Sequence, residues 1–471
     1  MNKSHNNTRE LVVLGAGPGG YAAAFRAADL GIKVTLIDDA PNPGGVCLYR
    51  GCIPSKALLH VAKLIKETQQ AQAWGIRFGP PEIDLDQLRD WKDGVVSKLT
   101  RGLGSLCKKR KIEYIRGIGT FTGHRALTVE DKENNTTEEI AFEKAIIATG
   151  ARNVSLPNLP TDSPLIMDST SSLEIRDIPK TLLVIGGGYI GLEQANIYAR
   201  LGSRVTVVEM APQLLPGSDQ DIASLLKKYL SDCFEAIMLN TKVTRCEPTD
   251  NGLQVDFEGG GQKPGGQTYD KILVAVGRKP NTDGIGLEHT DVEMDDKGFI
   301  VVDEQRQTSD AAIFAIGDVT GNPQFAHKAT HEGRVAAETI AGRPAAFDPR
   351  VIPFVEYTEL EIAGCGLSER QAHEQGLEVK TATFPWAASG RALTMGQDKG
   401  FTKLVLDKET GRILGMAIAG SDAGKLISEG ALAIEMGAVA QDLAHTIHPH
   451  PTLSETLMEA AGRFLKESVH T

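Results

Sequence analysis

Cys47 and Cys52 stand five residues apart in the run Gly44-Gly45-Val46-Cys47-Leu48-Tyr49-Arg50-Gly51-Cys52-Ile53-Pro54-Ser55-Lys56. Two thiols this close can form a disulfide and open it again, a two-electron switch. Pro54 suits the first turn of a helix, and residues 57–65 carry helical periodicity. Cys52 is therefore expected near a helix N-terminus, where the positive end of the dipole lowers a thiol's pKa. Lys56 follows one turn later. Far along the chain comes His448-Pro449-His450-Pro451-Thr452-Leu453-Ser454-Glu455. Thiol–disulfide exchange needs a base to make the thiolate and an acid to protonate the leaving one, and imidazole titrates in the right range. Glu455, near the start of the last helix, can turn back to fix the tautomer of His450. The residues alone read equally as two histidines in a proline-rich loop.

A cysteine pair can pass electrons to a nucleotide cofactor when the fold holds one beside it. Residues 11–14 are a short apolar run leading into Gly15-Ala16-Gly17-Pro18-Gly19-Gly20, then a helical pattern, then a strand pattern at 34–37 ending in Asp38. Gly15, Gly17 and Gly20 fit a dinucleotide fingerprint: the first for the tight turn, the second for the approach of a pyrophosphate, the third for helix–strand packing. The order recurs at 182–209, with Gly186, Gly188 and Gly191 as the glycines and Glu209 as the acid. In both copies the acid lies 23 residues after the first glycine, Gly15 to Asp38 and Gly186 to Glu209. Each acid is placed for a ribose hydroxyl. Glu209 favours the free 2′-hydroxyl of NAD over the 2′-phosphate of NADP, and Met210-Ala211-Pro212-Gln213 supply no cation for the latter.

Further strand-like runs end in glycine at 145–150 and 272–277, and residues 313–318 read as a strand returning to the first unit and delivering Asp318. The segments 357–366 and 401–406 read as strands, and 424–436 and 455–465 as helices, with no third fingerprint. The expected fold class is α/β: two Rossmann-like dinucleotide-binding domains plus a C-terminal α+β dimerisation domain. The expected boundaries are 1–150 and 279–350 for the first, 151–278 for the second and 351–471 for the third.

At 471 residues the chain is too long for one core. A net charge of −11 argues against a nucleic-acid partner. Six cysteines are too sparse for a secreted disulfide scaffold, and the four outside the pair show no Cys/His zinc spacing, so no metal is expected. The polar start shows no signal pattern, and no apolar run reaches the roughly 18 residues of a membrane span. A cytoplasmic protein is expected.

The run at 44–56, both fingerprints, Ala315-Ile316-Gly317-Asp318 followed by Ala326-His327-Lys328, and the run from His450 to Glu455 resemble the dihydrolipoamide dehydrogenases of the pyridine-nucleotide disulfide oxidoreductase family, over nearly the whole chain. The resemblance implies FAD in the first unit and NAD in the second. It implies that Cys52 is the flavin-facing thiol, Cys47 the thiol that exchanges with substrate, and His450 the acid/base oriented by Glu455, acting on the disulfide of the other subunit of a homodimer. Lys56 and Glu193 then look like a pair beside the isoalloxazine, and Asp318, Ala326 and Gly119 like FAD contacts. Val243, Gly277 and Arg278 look like part of the NAD side. The implied substrate is a dihydrolipoyl group on the lipoyl domains of 2-oxo-acid dehydrogenase complexes; no lipoyl domain precedes residue 10, so another protein is expected to carry it. The chain departs from the family pattern at Tyr49 and Arg50 between the cysteines, and at Leu360, Cys365 and Pro449. None of these removes a group the chemistry needs. Glu209 speaks against an NADPH-driven reductase, the residues after Arg463 lack the extra cysteine pair of a mercuric reductase, and Cys47 and Cys52 count against a transhydrogenase.

Overall fold

The computed structural model describes residues 8–131, 134–160, 162–260 and 266–470. The chain forms two compact units: Met1–Ala57 with Asp84–Val154 and Gly277–Asp348, and Leu58–Ile83 with Ser155–Val276 and Pro349–Thr471.

In the first unit, β1 (Thr8–Leu14), α1 (Pro18–Asp29) and β2 (Val34–Asp38) follow the expected strand, turn, helix, strand order. β1 lies between β2 and the end of β5 (Thr136–Ile147), parallel to both, with Val12 opposite Thr35 and Ala145. β3 (Glu113–Gly123) runs parallel to β2 and then turns back through β4 (Ala126–Asp131) into β5 as an antiparallel meander. The strand Ile313–Ala315 adds to the far side of β5, parallel, with Ile313 opposite Ala145. Residues 11–14 are apolar on both faces because both faces are covered, as in parallel sheets flanked by helices.

The second unit repeats the parallel order. Ala236–Met238, Arg204–Val208, Thr181–Ile185, Lys271–Val274 and Ile166–Asp168 are neighbours in that sequence, all parallel. The helix Tyr189–Leu201 follows the second glycine turn and stops at Gly202, as expected. An antiparallel sheet of Phe354–Glu356, Ile362–Gly366, Ile413–Ala419, Phe401–Asp407 and Val379–Pro385 packs with the helices Ala423–Met436 and Glu455–Leu465. Its core gathers Phe384, Trp386, Leu404, Ile418 and Leu457.

Two strand expectations change. Residues 357–366 are not one strand: Phe354–Glu356 and Ile362–Gly366 pair antiparallel, and the buried Thr358 hydroxyl donates to the Leu360 carbonyl at 2.9 Å to close the turn between them. That turn contains neither glycine nor proline, so nothing local announces it. The run 313–318 is a strand only to Ala315. Gly317 takes φ +79°, donates its N–H to Glu332 Oε2 at 2.7 Å, and opens a 3₁₀ turn, Gly317–Thr320, that carries Asp318.

Candidate active site

The two glycine turns divide their labour alike. A Cβ on Gly15 would lie 2.3 Å from the Ala148 carbonyl oxygen, and one on Gly20 1.9 Å from that of Gly15. On Gly186 and Gly191 the corresponding distances are 2.3 Å to Ala275 O and 2.2 Å to Gly186 O. The first and third glycines are thus closed off by backbone. The middle ones are open: a Cβ on Gly17 meets nothing nearer than Gly45 Cα at 4.0 Å, and one on Gly188 nothing within 4 Å. Gly17 and Gly188 also head the helices α1 and Tyr189–Leu201, whose N-terminal amides attract phosphate. Both turns fit a dinucleotide. The acids behave alike too. Ala16 N–H donates to Asp38 Oδ2 at 2.7 Å and Ala40 N–H to Oδ1 at 3.0 Å; Gly187 N–H donates to Glu209 Oε2 and Ala211 N–H to Oε1, both at 2.7 Å. Burial raises the pKa of Asp38 against the pull of those amides and of Arg50.

Cys47 sits in α2 (Gly45–Arg50), and Cys52 opens α3 (Cys52–Gln70), with Pro54 in its first turn. The expected helix start is met. Cys47 is half-buried and Cys52 exposed. They are thiols in hydrogen-bond contact: that bond first, then burial and the charge on Cys52, push the Cys47 thiol far above its ordinary value, while Lys56 and the Cys52 N–H pull it back. Tyr21 on α1 belongs to the same neighbourhood, since burial and then the charges of Cys47 and Cys52 raise its phenol. Sequence reasoning passed over Tyr21. Its only signal was its place one residue past the third glycine of the fingerprint.

Asp318 is raised by burial, with Arg278 and Lys328 pulling it down and Glu332 adding to the rise. Arg278 Nε lies 3.9 Å from Asp318 Oδ2, and its guanidinium also donates to the Ala151 carbonyl. The structure therefore sets Arg278, with Gly277, in the first unit beside Asp318. Glu332, fully buried, holds Arg306 at 3.1 Å and Lys328 at 3.2 Å and caps the turn that presents Asp318. It was not singled out from sequence, because only the tertiary fold reveals a buried acid. Ala326 begins the helix Ala326–Ile340. Gly119, on β3, faces Leu14 so closely that a Cβ would come within 2.7 Å of Leu14 Cδ1. Val243 is a buried core residue whose carbonyl accepts from Asn158 Nδ2 at 3.0 Å. Glu193 is 3% exposed and accepts the Tyr357 N–H at 3.2 Å.

The expected base and its partner meet. His450 Nδ1 lies 2.9 Å from Glu455 Oε1, and Thr452 N–H donates to Glu455 Oε2 at 2.7 Å. Burial would raise the carboxyl of Glu455, but the Thr452 amide, His450 and His470 outweigh it and hold the pKa low. The His450 side chain is 75% exposed, so Nε2 is left facing outward. His448 differs: its Nε2 is bound to Glu429 at 2.7 Å and its Nδ1 to the Thr446 carbonyl at 2.8 Å. Of the two histidines, only His450 has a nitrogen to offer.

Residues 9–333 match the family model described as pyridine nucleotide-disulphide oxidoreductase, and residues 352–461 that family's dimerisation domain. The chain is 48% identical to a dihydrolipoyl dehydrogenase of Vibrio cholerae over 455 residues, 97% of this chain and 95% of that one. It is 49% identical to that of Haemophilus influenzae, with the same coverage. Among solved structures, LpdA from Mycobacterium tuberculosis superposes with a TM-score of 0.89 at 26% identity, covering 97% of this chain and 99% of that one. The HOCl-induced flavoprotein disulfide reductase RclA from Escherichia coli, as its Cu(II) complex, gives 0.87 at 30% identity, covering 97% and 100%. No helix among the described residues is long and apolar enough to cross a membrane. The chain belongs to the pyridine nucleotide-disulphide oxidoreductase family.

Proposed function

We propose that this protein is a dihydrolipoyl dehydrogenase, oxidising protein-bound dihydrolipoyl groups through the Cys47–Cys52 disulfide with NAD+ as final acceptor. The observation that carries the reading is the contact between the two thiols at the head of α3, in a chain 48–49% identical to dihydrolipoyl dehydrogenases over nearly its whole length. FAD and NAD are the cofactors. Gly17, Asp38, Asp318 and Ala326 are assigned to the first, and Gly188, Glu209 and Val243 to the second. When bound, they relay the electron pair from the reduced thiols to nicotinamide.

His450 takes the proton of one substrate thiol. The resulting thiolate attacks Cys47 Sγ, the Cys47–Cys52 bond breaks, and Cys52 leaves as a thiolate. The second substrate thiol then attacks the sulfur of its mixed-disulfide neighbour, closing the lipoyl disulfide. Cys47 leaves as a thiolate and takes the proton held by His450, while the proton of the second thiol passes to the vacated imidazole and on to solvent. The pair is left with one proton and one negative charge. The hydrogen bond between the two sulfurs and burial raise the Cys47 thiol, and the charge is assigned to Cys52, one turn from Lys56 on α3. Glu455 fixes the His450 tautomer with Nδ1 engaged and Nε2 free for the proton.

The domain boundaries 1–150, 151–278, 279–350 and 351–471 belong to this reading. So do a homodimer in which His450 of one subunit serves the cysteines of the other, a lipoyl domain of a 2-oxo-acid dehydrogenase complex as partner, and a cytoplasmic location. The test is anaerobic titration of the purified protein with dihydrolipoamide, then NAD+, reading the visible spectrum. Reduction by dihydrolipoamide, discharged by NAD+ with NADH appearing, is expected. Reduction by NADH or NADPH alone, with none by dihydrolipoamide, would sink the assignment.

A further inference from the structure

The helix Glu455–Leu465 carries a second carboxylate one turn beyond Glu455, and it too has a histidine. Glu459 is 4% exposed. The segment following the helix folds back over Gly462, where an added Cβ would meet Ser468 Cα at 3.3 Å. There Ser468 Oγ donates to Glu459 Oε2 at 2.7 Å, Val469 N–H to the same oxygen at 3.2 Å, and His470 Nδ1 lies 2.6 Å from Oε1. The segment is pinned at its other end by Glu467, whose N–H donates to Gly462 O at 2.8 Å and whose carboxylate lies 3.4 Å from His445 Nε2, just before the loop that bears His450.

Carboxylates four residues apart on a helix repel, and a buried one acts on its neighbour through protein rather than water. Left unpartnered, Glu459 would push against the charge that Glu455 needs. Other groups around the helix are engaged elsewhere. Lys380 lies over the Phe464 ring, and Lys403 is bound to Asp219, Asp221 and Glu369. Asp442 caps the Val439 N–H, and Thr402 pairs with Thr456. The answering donors for Glu459 are therefore Ser468, Val469 and His470, and His470 also helps to hold Glu455 ionised.

We propose that Glu459 and the segment 468–470 are positioning residues for the His450–Glu455 pair, setting its electrostatics by balancing one buried negative charge against one imidazole. This rests on the assignment of His450 as the base. Removing the imidazole leaves excess negative charge beside the pair and makes His450 easier to protonate; removing the Glu459 charge does the opposite.

The experiment uses the flavin-loaded full-length protein and diethyl pyrocarbonate, which modifies neutral imidazole, reading the rate at His450 by peptide mass across pH. H470A should move the midpoint up and E459Q move it down, each by about 0.3–1 unit, while H470K, which supplies a positive charge, moves it back down. Opposed shifts are not what mere loosening gives. Shifts of the same sign, or none, overturn the inference. Dihydrolipoamide:NAD+ turnover on the same samples separates the two readings. Opposed shifts in a protein that never turns over dihydrolipoamide would remove the proposed function and leave this inference standing; normal turnover with unmoved midpoints would do the reverse.

Discussion

Asp38 and Glu209 are structural equivalents: each takes the N–H of the residue after the first glycine of its turn, Ala16 or Gly187, at 2.7 Å, and a second N–H two residues beyond itself. The acid is thus part of the turn before any ribose arrives. A carboxylate offers about four lone-pair positions, so two amides leave room for sugar hydroxyls.

E209A therefore has two expected effects. It strands the Gly187 and Ala211 amides, costing about 1–3 kcal/mol of stability. It also removes the charge that repels a 2′-phosphate, so the preference for NAD over NADP should fall by about tenfold or more. Thermal unfolding and steady-state kinetics with both nucleotides check this. A variant with unchanged stability and unchanged preference would remove Glu209 from the site.

The middle and third glycines should part company. G188A fills open space and is expected to weaken NAD binding while changing stability by less than about 0.5 kcal/mol. G191A drives a Cβ to within 2.2 Å of the Gly186 carbonyl, so the turn must shift, at about 1–3 kcal/mol or more. Urea unfolding beside an NADH fluorescence titration separates the two; equal loss of stability in both would contradict the assignment.

E455Q should slow dihydrolipoamide oxidation by about 10²-fold or more with flavin content unchanged. Its stability carries a second signature. The pKa of Glu455 is lower in the native protein than when unfolded, so the ionised group stabilises the fold in full above the ordinary carboxylate value of about 4.3. That contribution is lost as pH falls from there through the depressed native value. The stability gap between wild type and E455Q should close over that acid window, measurable by denaturant titration at stepped pH.

Lys403, 3% exposed, is held by Asp221 at 2.8 Å, Asp219 at 2.9 Å and Glu369 at 3.3 Å. K403M leaves buried acid without its cation and should cost about 3–5 kcal/mol. K403M/D219N should recover part of it, and chemical denaturation of both reads the difference.

The features legible in the sequence were those whose cause is local. Glycines excluded by a neighbouring carbonyl sit where the spacing put them, and the helix Glu455–Leu465 has the bounds expected of it. Cys52 begins its helix because Pro54 tolerates the first turn. What escaped depends on residues far apart in the chain. The turn at 357–361 is closed by a threonine hydroxyl and not by glycine or proline. Glu332 and Glu459 look like surface acids on helices until tertiary structure buries them. The approach of Arg278 Nε to Asp318 Oδ2, 3.9 Å, joins two segments that no local pattern links.

The place of Ile313–Ala315 in the first sheet has a bearing on how the molecule comes to exist. Residues 145 and 313 are partners, yet the whole second parallel sheet, finished at Val274, is spelled out between them. A chain made from its N-terminus can complete the inserted sheet while β5 still offers an open edge and α1 lacks the helix Ala326–Ile340 that packs on it, with Arg26 waiting for Glu338. Pairings this distant in sequence form slowly, and unpaired edges are where nascent chains aggregate. On the ribosome the first unit is the one that must wait.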